Sequence, residues 1–188
     1  MKGEERPRNA QPLVRAALAY AHRGMPVFPC EPLGKRPLTR DGFWDASSEA
    51  SIVGRWWARW PRANIGVPTG ERSGLLVLDV DPRDGGPGSL EELEEAFDPL
   101  PPTTRARTGG GGEHVFFRYP GGGVRNSASW VGPGLDVRGE GGYVVVPPSR
   151  TGGTYRWTER SPLAEAPAWL LARMRGTTRT SLGEQPLF

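Results

Sequence analysis

Two carboxylates close the apolar run Leu75-Leu76-Val77-Leu78-Asp79-Val80-Asp81, and a third stands in a second run, Gly134-Leu135-Asp136-Val137-Arg138. Strand alternation puts Asp79 and Asp81 on one face, about 6–7 Å apart along the chain. Anions that close repel each other unless a cation lies between them, and hard divalent ions prefer oxygen ligands. A lone Asp-x-Asp can equally end a strand and cap the next turn. The third carboxylate changes that balance. Three of them on neighbouring strands suit a pair of divalent ions that clamp the attacking and leaving oxygens of a phosphoryl transfer. Arg138 follows Asp136 on the same face, and either neutralises a phosphate beside the ions or pairs with Asp136.

Between the two acidic runs lies Thr108-Gly109-Gly110-Gly111-Gly112-Glu113-His114. Four successive glycines either form a plain hairpin or let backbone amides close around an anion. The Gly-x-x-x-x-Gly-Lys-Ser/Thr phosphate loop is absent. His114 opens the apolar strand Val115-Phe116-Phe117. There it can donate to a phosphate or sugar oxygen, move a proton, or sit as a satisfied surface group.

These residues need elements to hold them. Helical spacing covers Gln11–His22, stopped by Gly24, and a helix capped by Ser47 or Ser48 runs to Trp60. A third helix opens at Ser89 with a capping-box pattern and ends near Phe97, and a fourth covers about Glu165–Arg175. Strands are expected at Met25–Pro29, Asn64–Pro68, Leu75–Val80, Thr103–Arg107, His114–Tyr119, Gly134–Arg138, Tyr143–Val146 and Thr154–Trp157. Helices first and strands later predict an α+β fold with at least one antiparallel sheet. The expected organisation is a flexible segment 1–10, a catalytic domain 11–175 and a flexible tail 176–188.

The chain has 188 residues, enough for one domain with a core of its own. Its 27 glycines and 20 prolines are clustered between apolar runs, which reads as loop-rich rather than disordered. Cys30 is the only cysteine, so neither a disulfide framework nor a cysteine zinc site is expected, and a reducing, cytoplasmic location fits. No stretch approaches the roughly 18 apolar residues of a membrane span, so a soluble protein is expected. Net charge is only +3. Arginine far outnumbers lysine, through genomic base composition or because one face binds phosphates.

Taken in order, GKRPL at 34–38, NIGVPTG at 64–70, LLVLDVD at 75–81, RTGGGGEHVFFR at 107–118, RNSAS at 125–129 and GLDVRGEGGYVVVPPS at 134–149 make a specific set. It resembles the bifunctional primase–polymerase (prim-pol) family of the archaeo-eukaryotic primase superfamily, over roughly Leu13 to Pro148. The resemblance implies that superfamily's catalytic core, with a mixed or antiparallel sheet and flanking helices. It implies template-directed nucleotidyl transfer on a DNA template and primer from dNTP or NTP. Asp79, Asp81 and Asp136 match the metal-binding motifs for two Mg²⁺ or Mn²⁺ ions, without zinc. His114 matches the motif histidine that contacts the incoming nucleotide. Thr108 to Gly112 and Arg138 would hold its phosphates. Lys35 sits in a segment similar to the family's GKxP loop, and reads either as a phosphate or template contact or as a solvated lysine. Gly112 stands where many members carry serine, which changes only the atoms that would hold phosphate.

Two other classes stay open on the residues alone. One is a metal-dependent nucleotide hydrolase or nucleotide-modifying enzyme. The other is a non-catalytic nucleic-acid-binding module using Trp44, Trp56, Trp57, Trp60, Trp130 and the arginines, although the spacing of Trp56, Trp57 and Trp60 also suits a helix core. Finally, Glu184-Gln185-Pro186-Leu187-Phe188 looks like a short sliding-clamp docking motif, with Glu184 where glutamine is usual. A plain disordered tail is the alternative.

Overall fold

The computed structural model describes residues 10–176. Apolar alternation along Leu75–Val80 (β3) is what organises it. Leu76, Leu78 and Val80 turn to one face of the strand, Leu75 and Val77 to the other, and all five are buried. A strand buried on both faces must sit inside a sheet with a layer on either side.

β3 is central to a seven-stranded sheet. Ser127–Gly132 (β6), Leu135–Arg138 (β7), β3, Glu113–Arg118 (β5), Arg105–Arg107 (β4) and Arg156–Glu159 (β9) follow one another across it. All these neighbours run antiparallel. Ala164–Glu165 (β10) pairs in parallel with the other end of β5. Phe28–Cys30 (β1), Asn64–Pro68 (β2) and Tyr143–Val146 (β8) form a separate antiparallel sheet in the order β1-β2-β8.

Two cores result. Leu76, Leu78, Val115, Phe117, Leu135 and Val137 pack against Gly86–Ala96 (α3) and Ala168–Met174 (α4). On the opposite face, Val77, Phe116 and Ala106 meet Ala10–His22 (α1), Ala50–Arg59 (α2) and the small sheet. The fold is mixed α+β with antiparallel sheets, as expected. Trp57 is buried and donates to the Ala63 carbonyl, while Trp56 and Trp60 are half-buried beside it, so this helical trio is core. Trp44 and Trp130 are exposed.

Several elements depart from the sequence expectation for local reasons. The residue before α2 is Glu49, which makes no side-chain cap, and Ser47 Oγ instead accepts the Glu49 amide. α3 starts three residues before Ser89, because Gly85, at φ 82°, turns the chain directly from a 3₁₀ turn at Pro82–Asp84 into Gly86 and Pro87. Glu165 lies in β10, and Pro167 delays the last helix to Ala168. β9 sits two residues later than expected. β6 has no counterpart among the expected strands; its Ala128, Ser129 and Trp130 are exposed and its register on β7 shifts midway. The first helix starts at Ala10, the last residue of the segment 1–10 expected to be flexible; the rest of that expectation, the tail from 177 to 188 and the docking motif at Pro186-Leu187-Phe188 lie outside the described residues.

Candidate active site

Register brings the chemistry together. Asp79 on β3 faces His114 on β5 and Asp136 on β7, so the three share one row on one face of the sheet. A cavity of about 250 Å³ opens between the two sheets there, with Tyr143, Val144 and Val145 of β8 across from the row. Lys35, Arg138, Asn126 and Tyr155 also border it.

Arg138 holds the acidic end. Its Nη2 lies 2.9 Å from Asp136 Oδ2 and 3.4 Å from Asp79 Oδ2. Of the two expectations for Arg138, the pairing with Asp136 is the one observed, and the residue also lines the cavity. Asp136 Oδ1 also accepts the Ser129 amide at 3.0 Å.

His114 is buried, and its Nε2 stands 3.5 Å from Asp79 Oδ1. Burial pushes its pKa down to about 4, helped by Lys35 and Arg138 and opposed by Asp79. At neutral pH the ring is uncharged, with one N–H donor and one lone pair. Its Nδ1 is buried with no partner. An unpaired buried polar atom costs on the order of 1–3 kcal/mol.

Asp81 lies one residue beyond β3. It accepts from the Arg83 amide, at 3.0 Å, and from the Arg83 guanidinium, Nη2 to Oδ2 2.6 Å. Those bonds hold its carboxyl down at a pKa of about 2. It thus takes the turn-capping role that an Asp at a strand end can fill. It nonetheless borders, with Asp79, Lys35, Thr108, Gly110 and Gly112, a small recess of about 30 Å³.

The glycine loop is a closed turn. Thr108 N donates to Gly112 O at 2.8 Å and Gly111 N to Thr108 O at 3.1 Å, so two amides serve the turn itself. A side chain at Gly112 would meet the Val80 carbonyl at 2.4 Å, so glycine there lets the loop lie against the end of β3. Thr108, Gly110 and Gly112 face the recess; Gly109 packs on 151–153 instead. Lys35 is exposed, makes no ion pair among the described residues, and borders both cavity and recess.

Hard oxygen donors in register suit a divalent ion, and the guanidinium between Asp79 and Asp136 marks the point where positive charge is stabilised. The fit is to this pair first. Among the described residues no three His, Cys, Asp or Glu side chains converge as a ready metal site; Asp81 is bonded to Arg83, and Asp79 and Asp136 to Arg138. Arg83 is exposed, so its hold on Asp81 is open to exchange.

Sequence reasoning missed Tyr143, Asn126 and Tyr155. Asn126 Oδ1 accepts the Gly139 amide at 3.0 Å, and Tyr155 is buried with an unpartnered hydroxyl. Asn126 and Tyr143 lie within two of the motifs; nothing local distinguishes Tyr155.

An antiparallel sheet thus sets Asp79, a buried histidine and an arginine against an inter-sheet cavity, with Asp136 beside them in the same row. Residues 17–169 match the Prim-Pol family, described as the N-terminal domain of bifunctional DNA primase/polymerase. The chain belongs to that family, whose members point to primase/polymerase activity in the broad sense. No curated protein matches it. Among the described residues no helix is long and apolar enough to cross a membrane.

Proposed function

We propose that this domain is a template-directed nucleotidyltransferase, a DNA primase/polymerase core of the archaeo-eukaryotic primase type. The observation that carries the reading is the in-register row Asp136–Asp79–His114, with Arg138 across its acidic end and an inter-sheet cavity above it.

Asp79 and Asp136, joined by Asp81 once it leaves Arg83, would hold Mg²⁺ or Mn²⁺, two ions in all. Bound there, the ions would supply Lewis acidity toward the attacking hydroxyl and the triphosphate. Arg138, released from the carboxylates, donates to a phosphate oxygen from the cavity wall. Lys35 and the inward side of the Thr108–Gly112 turn add positive potential over the recess. His114 contacts the nucleotide as a neutral ring and orients it against Asp79. Its depressed pKa makes it a positioning group rather than a proton donor at neutral pH. The small sheet borders the cavity through Tyr143, Val144 and Val145.

Primer extension with labelled dNTP and NTP, with and without primer, in Mg²⁺ and in Mn²⁺, tests the reading. Template-dependent extension is expected. Template-independent nucleotide hydrolysis would replace the reading with a nucleotide hydrolase. The terminal Pro186-Leu187-Phe188 is proposed as a sliding-clamp tether, and binding of a peptide spanning 181–188 to a bacterial clamp checks it.

A further inference from the structure

The row does not stop at His114. His114 faces Ala106 on β4, and Ala106 faces Trp157 on β9, so Asp136, Asp79, His114, Ala106 and Trp157 lie in one line across five strands. Directly opposed residues share a face, so Trp157 projects on the same side as the carboxylates. Three strand spacings separate it from Asp79, about 14 Å.

At that end lies a second, larger cavity, about 710 Å³, open to solvent between α1 and β9. Trp157 and Tyr20 line it, and Arg23, Arg156 and Arg160 stand around them. Trp157 rests on Phe116, with ring centroids 5.3 Å apart, and the Tyr20 hydroxyl donates to the Pro147 carbonyl at 2.6 Å. Both rings are therefore fixed in place. The three arginines are exposed and none makes an ion pair among the described residues. No Asp or Glu lines the cavity. Tyr155 borders this groove and the candidate active site alike, so one ring separates them.

We propose that this groove binds single-stranded nucleic acid, the arginines taking phosphates and Trp157 with Tyr20 offering faces to the bases. The inference rests on the polymerase reading for its orientation: it seats the unpaired strand a few nucleotides from the reacting end. Charge alone would suit any polyanion. Fixed aromatic faces among unpaired arginines select a chain that alternates phosphates with planar rings.

The test is fluorescence anisotropy of a labelled single-stranded oligonucleotide over a salt series, using the full chain. Replacing Arg156 and Arg160 together by Gln should weaken binding about five- to tenfold at low salt. It should also lower the salt slope by about 0.7 for each phosphate the protein no longer neutralises. Arg55→Gln with Arg62→Gln, the same charge loss on and after α2, should leave both unchanged. Nucleotide binding should be equal in all three proteins. An iodouracil oligonucleotide should crosslink to Tyr20 or Trp157. Unchanged affinity and slope in the groove variant overturn the proposal, as does equal displacement of the oligonucleotide by polyglutamate. Wild-type protein that binds through these arginines but extends no primer keeps the groove and removes the polymerase reading. Primer extension together with normal oligonucleotide binding by the groove variant removes the groove alone.

Discussion

The two ends of the Asp136-to-Trp157 row are charged in opposite ways. At one end each carboxylate already has an arginine: Asp136 and Asp79 share Arg138, and Asp81 has Arg83. At the other, three arginines surround two aromatic rings with no acid among the lining residues. An internally paired cluster stays together without a ligand and admits one by exchange, a cation for the guanidinium or a phosphate for the carboxylate. An unpaired cationic cluster is complete only when an anion arrives from outside. On the two readings proposed above, one sheet face presents an exchange site and a capture site, separated by Ala106 and the Tyr155 ring.

The sharpest way to break this contrast is to neutralise the acidic end. Asp79→Asn keeps the shape of the side chain and removes its charge. It should abolish nucleotide incorporation, by at least about a hundredfold in a primer-extension assay. Oligonucleotide binding in the groove should be retained. Asp136→Ala should behave alike. Incorporation at the wild-type rate in either variant would end the proposal that these carboxylates carry the chemistry.

Arg138→Gln tests exchange itself. Asp79 and Asp136 would lose their shared counter-charge and repel each other across the strand pair, lowering stability by about 1–2 kcal/mol. Millimolar Mg²⁺ or Mn²⁺ should then raise the melting temperature of the variant more than that of the wild type, because the ion restores the missing charge. An equal response of the two proteins would show that the carboxylates do not form one cation site.

His114→Leu separates function from folding. The variant loses a buried polar ring with an unpartnered Nδ1, so thermal stability should hold or rise. Nucleotide affinity should fall, about tenfold in apparent KM. A lower melting temperature with unchanged KM would make His114 a structural residue.

How much of this is legible in sequence follows from what each feature depends on. β2, β3 and β8 are predicted to the residue, because apolar runs between turn residues leave little choice. Asp79, Asp136 and His114 stand out because each sits in or opens such a run. Their adjacency is not legible, since it depends on the strand order β7-β3-β5, which composition does not encode. Alternation groups Asp81 with Asp79. Pro82 ends the strand and Arg83 recruits the carboxylate into a turn, a competition that two-residue periodicity cannot register. β6 escapes notice because three successive residues at its middle, Ala128 to Trp130, face solvent, without the alternation that marks a half-buried strand. The groove is invisible for a different reason: Tyr20 and Trp157 are 137 positions apart in the chain, and each alone reads as one more aromatic.

The smallest predicted effect sharpens the capture end. The Tyr20 phenol is largely buried, and burial pushes its pKa up from about 10 to about 12, despite the lowering effects of Trp157, Arg160 and Arg23. A raised acid pKa means that between pH 10 and 12 the unfolded chain releases this proton while the folded chain keeps it. Folding stability then falls as pH rises through that window, and the phenol contributes nothing to pH dependence below it. Tyr20→Phe removes both the ionisable group and the hydrogen bond to Pro147. At pH 7 the variant should be less stable by about 1 kcal/mol, the value of that bond. At pH 11 the wild type also loses about 1 kcal/mol through the phenol, so the difference between the two proteins should close. Cys30, whose pKa burial also raises to about 12, titrates in the same window but is common to both chains, so it cancels in the comparison. Melting temperatures of both proteins at pH 7 and pH 11 measure the gap. A gap of constant size would mean that the Tyr20 hydroxyl ionises as freely in the folded chain as in the unfolded one. The ring would then not be fixed against the Pro147 carbonyl, and the groove would lose one of its two rigid faces.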